Sequence, residues 1–260
     1  MTRLKQGEST QMRINAMIGE PDEVNDLVVL VDVFRSSTSI VTALDRGCDY
    51  IRPFKNPEDA KEMKRNQEND EQIILVGEKH GRTIEGFDLN ISPTNLIEQD
   101  LQEKKIFYRS SNLTRVLHAC IEAEEIIIGG LINAGAVADY ISKKKVDTLD
   151  VVACGISESS KVDRRQKVGL KKGARLNKVT IEDLIGAGKI IHHLESSNLS
   201  DLALIARLAY RNSNWKKEIG KGFIAKYLTK LGYGPDLDYC TQENEKNIVP
   251  LFRNGKIKKA

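Results

Sequence analysis

Short apolar runs alternate with polar turns and amphipathic segments along most of the chain. Residues 27–34 read LVVLVDVF, a nearly continuous apolar run typical of a strand that is covered on both faces. Further β-branched runs follow, each leading through a polar turn into a helical pattern. The predicted strands are residues 27–34, 50–54, 73–76, 105–108, 125–129 and 149–153. This order predicts an α/β fold, a three-layer α/β/α sandwich with a largely parallel or mixed central sheet.

Capping residues and turn residues set the expected boundaries of the other elements. Asn56-Pro57, followed by two acidic residues, is a strong helix start, and Thr180 is expected to cap a helix that reaches about residue 194. Two apolar segments that flank Asn254-Gly255 predict a C-terminal hairpin, residues 248–252 and 256–258. The remaining predicted helices are residues 40–46, 114–123, 133–142, 200–218 and 222–231.

The composition is that of an ordinary soluble protein, with 40% hydrophobic residues and a net charge of +3 in 260 residues. Such a mild charge does not indicate a nucleic-acid partner. No apolar run approaches the roughly eighteen residues of a membrane span, and the first residues do not resemble a signal peptide. We therefore expect a single domain over residues 1–260, located in the cytoplasm without a membrane partner, and a homodimer is a reasonable guess.

Polar residues follow the C-terminal ends of the predicted strands. Ligands of open α/β sheets gather outside those ends, so these residues are candidates for one site. They are Asp32, Arg35, Ser36, Ser37, Thr38, Glu78, Lys79, Ser111, Asn112, Asn133, Cys154 and Gly155. Several open helices, where backbone N–H groups and hydroxyls can hold an anion, and Arg35 can bind phosphate through two hydrogen bonds. The pattern favours a small phosphorylated, acidic metabolite as the ligand.

Most of these residues also have a structural explanation. Ser, Thr and Asn at helix starts are common caps, and Glu182 and Asp183 lie in a first turn, where acids complement the helix dipole. Cys154 is either a nucleophile or a small buried thiol, and no C-x-x-C pair occurs in the chain. Asp32 is harder to explain structurally, because a carboxylate at the end of an apolar strand is costly unless it is paired or metal-bound. Since no P-loop motif is present, phosphate chemistry here would be metal-assisted.

Seven segments resemble the 2-phosphosulfolactate phosphatase family, in the same order along the chain. The first two, VVLVDVFRSSTSIVTALDRG and GEKHGRTIEGFDLNISP, are similar to the opening signatures of that family. The later ones are SSNLTRVL, GGLINAGAVADYI, VVACG, VTIEDLIGAGKII and LDYCTQENEKNIVPLFRNGKI. The resemblance covers the chain from about residue 28 to residue 257.

The resemblance implies a Mg²⁺-dependent phosphatase that converts 2-phospho-3-sulfolactate to 3-sulfolactate and phosphate, on the route to coenzyme M. The implied catalytic residues are Asp32, Arg35, Glu78, Asp88 and Cys154. Asp32, Glu182 and Asp183 are the implied metal ligands. Together with the strand-end residues, the expected substrate-binding set is Ser36, Ser37, Thr38, Lys79, Arg82, Ser111, Asn112, Thr114, Asn133 and Gly155. Lys79 or Arg82 would pair with the sulfonate and carboxylate.

Three departures from the family pattern fall within the expected site. Leu113 stands where Gly is usual, so a tight backbone approach at that point is expected to be lost. Asn90-Ile91 replaces the usual Gly-Asn, and Lys79-His80 replaces Arg-Gly. Two alternatives therefore stay open, a related phosphatase with a different phosphorylated substrate and a non-catalytic anion-binding relative.

The segment at residues 156–176 is longer than the link usual in the family and is expected to be a basic loop insertion. Residues 161–175 carry seven basic residues and one acidic residue. The segment is interpreted as a solvated loop, as a lid over a polyanionic substrate, or as a nucleic-acid contact. The last is the weakest interpretation, because no aromatic residues are interleaved with the charges.

Overall fold

The structure is a computed structural model, and it describes residues 11–67, 71–157 and 177–260. The expected basic insertion lies almost entirely outside these ranges. The strands are β1 (Arg13–Ile18), β2 (Leu27–Val31), β3 (Tyr50–Pro53), β4 (Ile73–Lys79), β5 (Arg82–Thr83), β6 (Lys105–Arg109), β7 (Glu125–Gly129), β8 (Thr148–Ala153), β9 (Ile156–Ser157), β10 (Asn177–Lys178), β11 (Pro250–Arg253) and β12 (Lys256–Lys259). The helices are α1 (Ser36–Asp45), α2 (Pro57–Arg65), α3 (Pro93–Ile97), α4 (Leu113–Ala119), α5 (Ala134–Ser142), α6 (Ile181–His193), α7 (Asp201–Arg211), α8 (Trp215–Lys221), α9 (Phe223–Lys230) and α10 (Gly234–Cys240).

In the part of the chain that the structure describes, ten strands form one mixed sheet in the order β1-β8-β2-β7-β11-β12-β3-β6-β4-β5, while β9 and β10 pair separately. Two parallel blocks, β1-β8-β2-β7 and β3-β6-β4, lie on either side of the C-terminal hairpin of β11 and β12. The three pairings that join the blocks are all antiparallel. The strands of one block therefore run opposite to those of the other.

Helices cover both faces of the sheet. In β2, Val29 and Val31 point into a cluster with α5, α6 and α7, whereas Val28 and Leu30 point into a second cluster with α1 and α4. The second cluster also contains Ile106 of β6, so both parallel blocks contribute to it. The predicted α/β class with a mixed sheet is confirmed.

The predicted elements are present, but one of them is divided and several further elements were not predicted. The long helix predicted at residues 200–218 is wrong, because it divides into α7 and α8 at Asn212, which has extended backbone and accepts the Asn214 N–H with its side chain. The elements β1, β5, β9, β10, α3 and α10 were not predicted from the sequence. The C-terminal hairpin is confirmed. In the part of the chain that is described, no helix is long and apolar enough to cross a membrane.

Gly188 allows α6 and α7 to pack closely, and we expect Gly188→Ala to destabilise the fold. A Cβ at this position would lie 1.9 Å from the carbonyl oxygen of Ala206 in α7. Overpacking of this kind costs about 1–3 kcal/mol or more, which urea unfolding measures. Gly220→Ala in α8 is the matched control, because its Cβ would meet nothing within 4 Å and should raise stability. Equal stability of the two variants would contradict the close packing.

Candidate functional site

A pocket that is partly open to solvent lies where the ends of β2, β4 and β6 face α9. One wall is polar and comes from the strand ends, and the other is largely apolar and comes mainly from α9. The lining residues are Asp32, Phe34, Arg35, Ser36, Glu78, His80, Gly81, Ile91, Ser111, Asn112, Ile156, Ile224, Tyr227 and Leu228. Six of the residues expected from the sequence therefore come together here, namely Asp32, Arg35, Ser36, Glu78, Ser111 and Asn112.

Asp32 is a buried carboxylate held by the first turn of α1. Ser36 donates its hydroxyl to Oδ2 over 2.8 Å and its N–H to Oδ1 over 3.2 Å. Burial raises the pKa of Asp32 to about 6, the charge of Glu78 adds to the rise, and the hydrogen bonds from Ser36 oppose it. A carboxyl group with a pKa near neutrality is suited to accept and release protons at physiological pH.

Arg35 lines the same pocket as Asp32, and its buried guanidinium is fixed in place. Nη1 donates to Asp236 Oδ2 over 2.9 Å, and Nη2 donates to the carbonyl of Gly81 over 3.0 Å. The Tyr233 ring lies beneath the guanidinium, 4.1 Å from its central carbon to the ring centroid. A guanidinium held on two sides keeps its position without a ligand, which favours anion binding with little loss of entropy.

Asp236 is fully buried in α10 and is the group that anchors Arg35. Its other oxygen accepts hydroxyl hydrogen bonds from Ser92 over 2.7 Å and from Thr94 over 2.6 Å. Sequence reasoning missed this residue. The only signal was an acid that follows Gly234-Pro235 in a first helical turn, and such an acid is usually explained by the helix dipole.

Glu78 fastens two loops of the pocket to each other. Its Oε2 accepts the Gly81 N–H over 2.7 Å, and its Oε1 accepts the Ser111 N–H over 2.5 Å. Gly81 has a φ of +74°, and a Cβ there would lie 2.7 Å from Leu231, so the turn requires glycine. Glu78 thus links the β4–β5 turn to the loop after β6, and both of its oxygens are occupied by backbone groups.

Glu182 and Asp183 bring two more buried carboxylates to the first turn of α6, within electrostatic reach of Asp32. Asp183 accepts the N–H groups of Val33 over 2.8 Å and of Gly155 over 2.9 Å. Burial raises the pKa of Asp183 well above its ordinary value, and the charges of Glu182 and Asp32 add to the rise. Burial also raises the pKa of Glu182 to about 7, with a further contribution from Asp32. Three buried carboxyl groups whose ionisation is disfavoured therefore lie close together here.

The donor chemistry of these carboxylates fits a hard divalent cation. Oε2 of Glu182 is buried and has no hydrogen-bond partner among the described residues, and a bound cation would satisfy it. In the same residues, no group of three or more Asp, Glu, His or Cys side chains is arranged to hold a metal ion. Mg²⁺ commonly binds through one or two carboxylates, with water and substrate phosphate as its other ligands. The residues fit that mode and do not form an all-protein cage.

Three charged residues expected at the site lie outside the pocket lining. Asp88 is exposed, pairs with Lys64 over 2.7 Å and accepts the N–H of Leu75 over 2.7 Å. Lys79 and Arg82 lie on the exposed β4–β5 hairpin. Asp88 therefore stabilises the start of a loop, because its carboxylate binds Lys64 of α2 and the backbone N–H of Leu75 in β4. The expectation that it joins the other carboxylates does not agree with this position.

The thiol of Cys154 is not suited to act as a nucleophile. Cys154 is fully buried, and burial raises its pKa well above the ordinary value, with the charges of Asp32 and Asp183 adding to the rise. A thiol that stays protonated is a poor nucleophile. Its inclusion among the catalytic residues is thus at odds with its surroundings, and the alternative of a buried structural thiol agrees with them. All four cysteines are buried and free.

The remaining expected binding residues give their polar groups to the local fold. Thr114 donates its hydroxyl to the Ser110 carbonyl over 2.5 Å. Asn133 accepts the Gly130 N–H and donates to the Ile248 carbonyl, so it fixes the turn after β7. The expected binding residues that lie outside the pocket lining and form hydrogen bonds with other protein groups are Ser37, Thr38, Thr114, Asn133 and Gly155.

Comparison with known proteins identifies the family. The family profile described as 2-phosphosulpholactate phosphatase matches residues 14–255. The chain belongs to the 2-phosphosulfolactate phosphatase family. A relative from Caldanaerobacter subterraneus subsp. tengcongensis is 32% identical over 248 residues, which cover 93% of each chain. A relative from Thermotoga maritima is 31% identical over 229 residues, which cover 87% of this chain and 89% of the relative. Both carry the name "Probable 2-phosphosulfolactate phosphatase".

The departures from the 2-phosphosulfolactate phosphatase pattern have different structural consequences. The side chain of Leu113 is buried in the second hydrophobic cluster, while its backbone N–H still faces Asp32 and lowers the pKa of that carboxyl. The expected loss of a tight backbone approach at Leu113 stays a prediction. Asn90 donates to the carbonyl of Gly81 over 3.4 Å and supports the turn. Ile91 lies in the pocket wall and makes it more apolar.

Glu182→Gln should remove a pH-dependent loss of stability from the metal-free protein. The folded pKa of about 7 lies above the ordinary value of 4.5, so the folded state binds more protons between these values. Stability is then fully present at low pH and is lost as the pH rises toward 8. In EDTA, the variant should exceed the wild type at pH 8 by on the order of 3 kcal/mol, with no excess at pH 4.

Urea unfolding at several pH values measures this difference. Glu98→Gln is the control, because Glu98 is exposed and its replacement should leave the pH dependence unchanged. If the free energies of unfolding of the wild type and of Glu182→Gln change with pH in the same way, Glu182 does not have a raised pKa in the folded protein.

Proposed function

We propose that this protein is a Mg²⁺-dependent phosphatase that hydrolyses 2-phospho-3-sulfolactate to 3-sulfolactate and phosphate. The observation that carries the proposal is that a buried carboxylate, Asp32, and a pre-positioned guanidinium, Arg35, line one pocket in a chain from this family. Relatives with about 30% identity over nearly their whole length carry the name of this activity. The product would enter coenzyme M biosynthesis.

The roles of the residues follow from their positions. Asp32 accepts a proton from the attacking water as the water oxygen bonds to phosphorus. The bond between phosphorus and the ester oxygen breaks, and the proton passes to that oxygen, which leaves as the hydroxyl of sulfolactate. Arg35 pairs with phosphoryl oxygens, whose negative charge shifts toward the ester oxygen as the bond breaks. Glu78 acts indirectly, because it holds the two loops that shape the phosphate end of the pocket.

Glu182 and Asp183 would hold Mg²⁺ near Asp32. The ion would supply Lewis-acid polarisation of the phosphoryl group. The unpartnered oxygen of Glu182 and the raised pKa values of the three carboxyls support this assignment. Asp183 also fixes the strand end, since it accepts the N–H groups of Val33 and Gly155. Removal of the metal should therefore affect both turnover and stability.

A related substrate is the second candidate, and Ile91 is the observation that favours it. This apolar side chain lies in the pocket wall at a position where the family usually has Asn. A wall that has lost one polar group would accept a phosphate monoester with fewer polar substituents than 2-phospho-3-sulfolactate.

Phosphate release from 2-phospho-3-sulfolactate, measured with MgCl₂ and again with EDTA, tests the proposal. We expect release with the metal and none with EDTA. A parallel panel of non-sulfonated phosphate monoesters distinguishes the two candidates, because higher kcat/KM for one of them would favour the related substrate. Stabilisation by these compounds without any turnover would instead indicate a non-catalytic binding protein.

A further inference from the structure

The hydroxyl of Tyr108 is a buried polar group with no role in the description of the pocket. Tyr108 lies near the end of β6, and its side chain is 1% exposed. Its backbone is fixed, because β6 pairs with β3 on one side and with β4 on the other. Phe54 also donates its N–H to the Tyr108 carbonyl over 2.8 Å. The central position of the strand therefore determines where the hydroxyl lies.

This hydroxyl has no hydrogen-bond partner among the described residues. A buried hydroxyl without a hydrogen bond costs free energy, and such groups are rare in folded proteins. Phenylalanine would fill the same space in the second hydrophobic cluster without that cost. Packing alone thus does not explain a tyrosine at this position.

The surroundings of the hydroxyl are those of the active site. Its polar neighbour is Ser36, and the charges that act on it are those of Asp32, Glu78 and Arg35. Burial raises the pKa of Tyr108 well above its ordinary value, so the phenol is protonated at neutral pH and can donate. Ser36 gives its own hydroxyl proton to Asp32 Oδ2 over 2.8 Å, so Ser36 Oγ can only accept from Tyr108.

We infer that Tyr108 is a positioning residue of the active site, and that its hydroxyl donates to Ser36 Oγ when a phosphorylated ligand occupies the pocket. This inference rests on the proposed function. The hydrogen bond fixes the direction of the Ser36 hydroxyl, and Ser36 in turn holds Asp32 in one orientation for proton transfer. Tyr108 acts through Ser36, because Tyr108 is not part of the pocket lining.

Tyr108→Phe, assayed for stability and turnover, tests the inference. The free variant should unfold at the same temperature as the wild type or higher, because the unpartnered hydroxyl is removed. Its kcat should fall about tenfold or more, since Asp32 is no longer held in one orientation, and KM should rise, since the hydrogen bond that forms in the ligand-bound protein is lost. Tyr140→Phe is the matched control. The Tyr140 hydroxyl is bonded to Glu125 over 3.2 Å, away from the pocket, so kcat should not change.

Two results would overturn the inference. One is a kcat of Tyr108→Phe within about twofold of the wild type. The other is a lower unfolding temperature of the free variant that accompanies its loss of activity, because the hydroxyl would then have a structural partner.

Stabilisation by inorganic phosphate with MgCl₂ separates this inference from the proposed function. If phosphate raises the unfolding temperature of the wild type but 2-phospho-3-sulfolactate is not hydrolysed, the proposed substrate is wrong. A smaller rise for Tyr108→Phe would then still support the positioning role, and an equal rise in both proteins would refute it. A wild type that does not respond to phosphate at all would contradict both proposals.

Discussion

Asp32→Asn lowers kcat/KM by about 10³-fold or more and leaves the fold intact; this is the largest effect on activity that we expect. Asparagine keeps the shape of the side chain: its amide oxygen can accept the Ser36 N–H, and its NH₂ group can donate to the Ser36 hydroxyl once that hydroxyl turns, but it cannot take a proton from water. Stability should not fall, because the wild type carries a buried carboxyl whose pKa is raised to about 6, so its charged form is disfavoured at neutral pH. Phosphate release and thermal unfolding of the purified variant measure the two effects.

Asp26→Asn is a suitable control for this experiment. Asp26 is exposed and directly precedes β2, while Asp32 directly follows it, so the two changes are chemically identical and lie at opposite ends of one strand. The control should retain wild-type turnover. An Asp32→Asn variant that keeps its activity would show that another group accepts the proton, and the proposed mechanism would then have to be abandoned.

Asp236→Ala should cost about 3–5 kcal/mol of stability, the largest effect on folding that we expect. The ion pair of Arg35 and Asp236 is buried on both sides, with side chains that are 2% and 0% exposed. Without Asp236, the guanidinium is an uncompensated buried charge, and the hydroxyls of Ser92 and Thr94 also lose their acceptor. Urea unfolding measures the loss. A change below about 1 kcal/mol would mean that Arg35 reaches water or another partner.

Asp236→Asn separates the anchoring of Arg35 from the hydrogen bonds of Ser92 and Thr94. The amide oxygen can still accept from Ser92 and Thr94, while the charge that holds Arg35 is removed. We expect kcat/KM to fall about 10–100-fold, with a larger loss than any change in stability explains. Asp238→Asn is the control on the same helix, because Asp238 is exposed, and it should behave like the wild type. Equal activity of both variants would show that Arg35 does not need this anchor.

Several features of the site were predictable because they depend on local chemistry. Asp32 stands out in the sequence, since a carboxylate after five apolar residues must be buried with special partners, and the structure shows it buried with Ser36 as its partner. Asn56 caps α2 as its sequence predicts, by accepting the N–H of Glu58. Tyr108 and Asp236 could not be identified in this way. Each has an ordinary local explanation, as a strand residue and as an acid in a first helical turn.

The sequence by itself determined the class of fold, because the periods of apolar residues report which faces of each element are buried. It also determined the C-terminal hairpin and most strand ends where candidate residues lie. Only the tertiary structure decided which strand ends meet. The two parallel blocks run in opposite senses on either side of the hairpin, so a flat sheet would hold Asp32 and Glu78 at opposite edges.

The pocket exists because both blocks enclose one hydrophobic cluster, which brings Asp32 and Glu78 into the same lining. The chain then returns to this place near its end. The ion pair of Arg35 and Asp236 joins residues that are 201 positions apart, and α9 supplies much of the apolar wall. Hydrophobic period is a local property, whereas strand order and long-range pairing depend on how all the elements share one core. That physical difference explains why the sequence predicted the elements and many of the candidate residues, while the arrangement of the site required the folded chain.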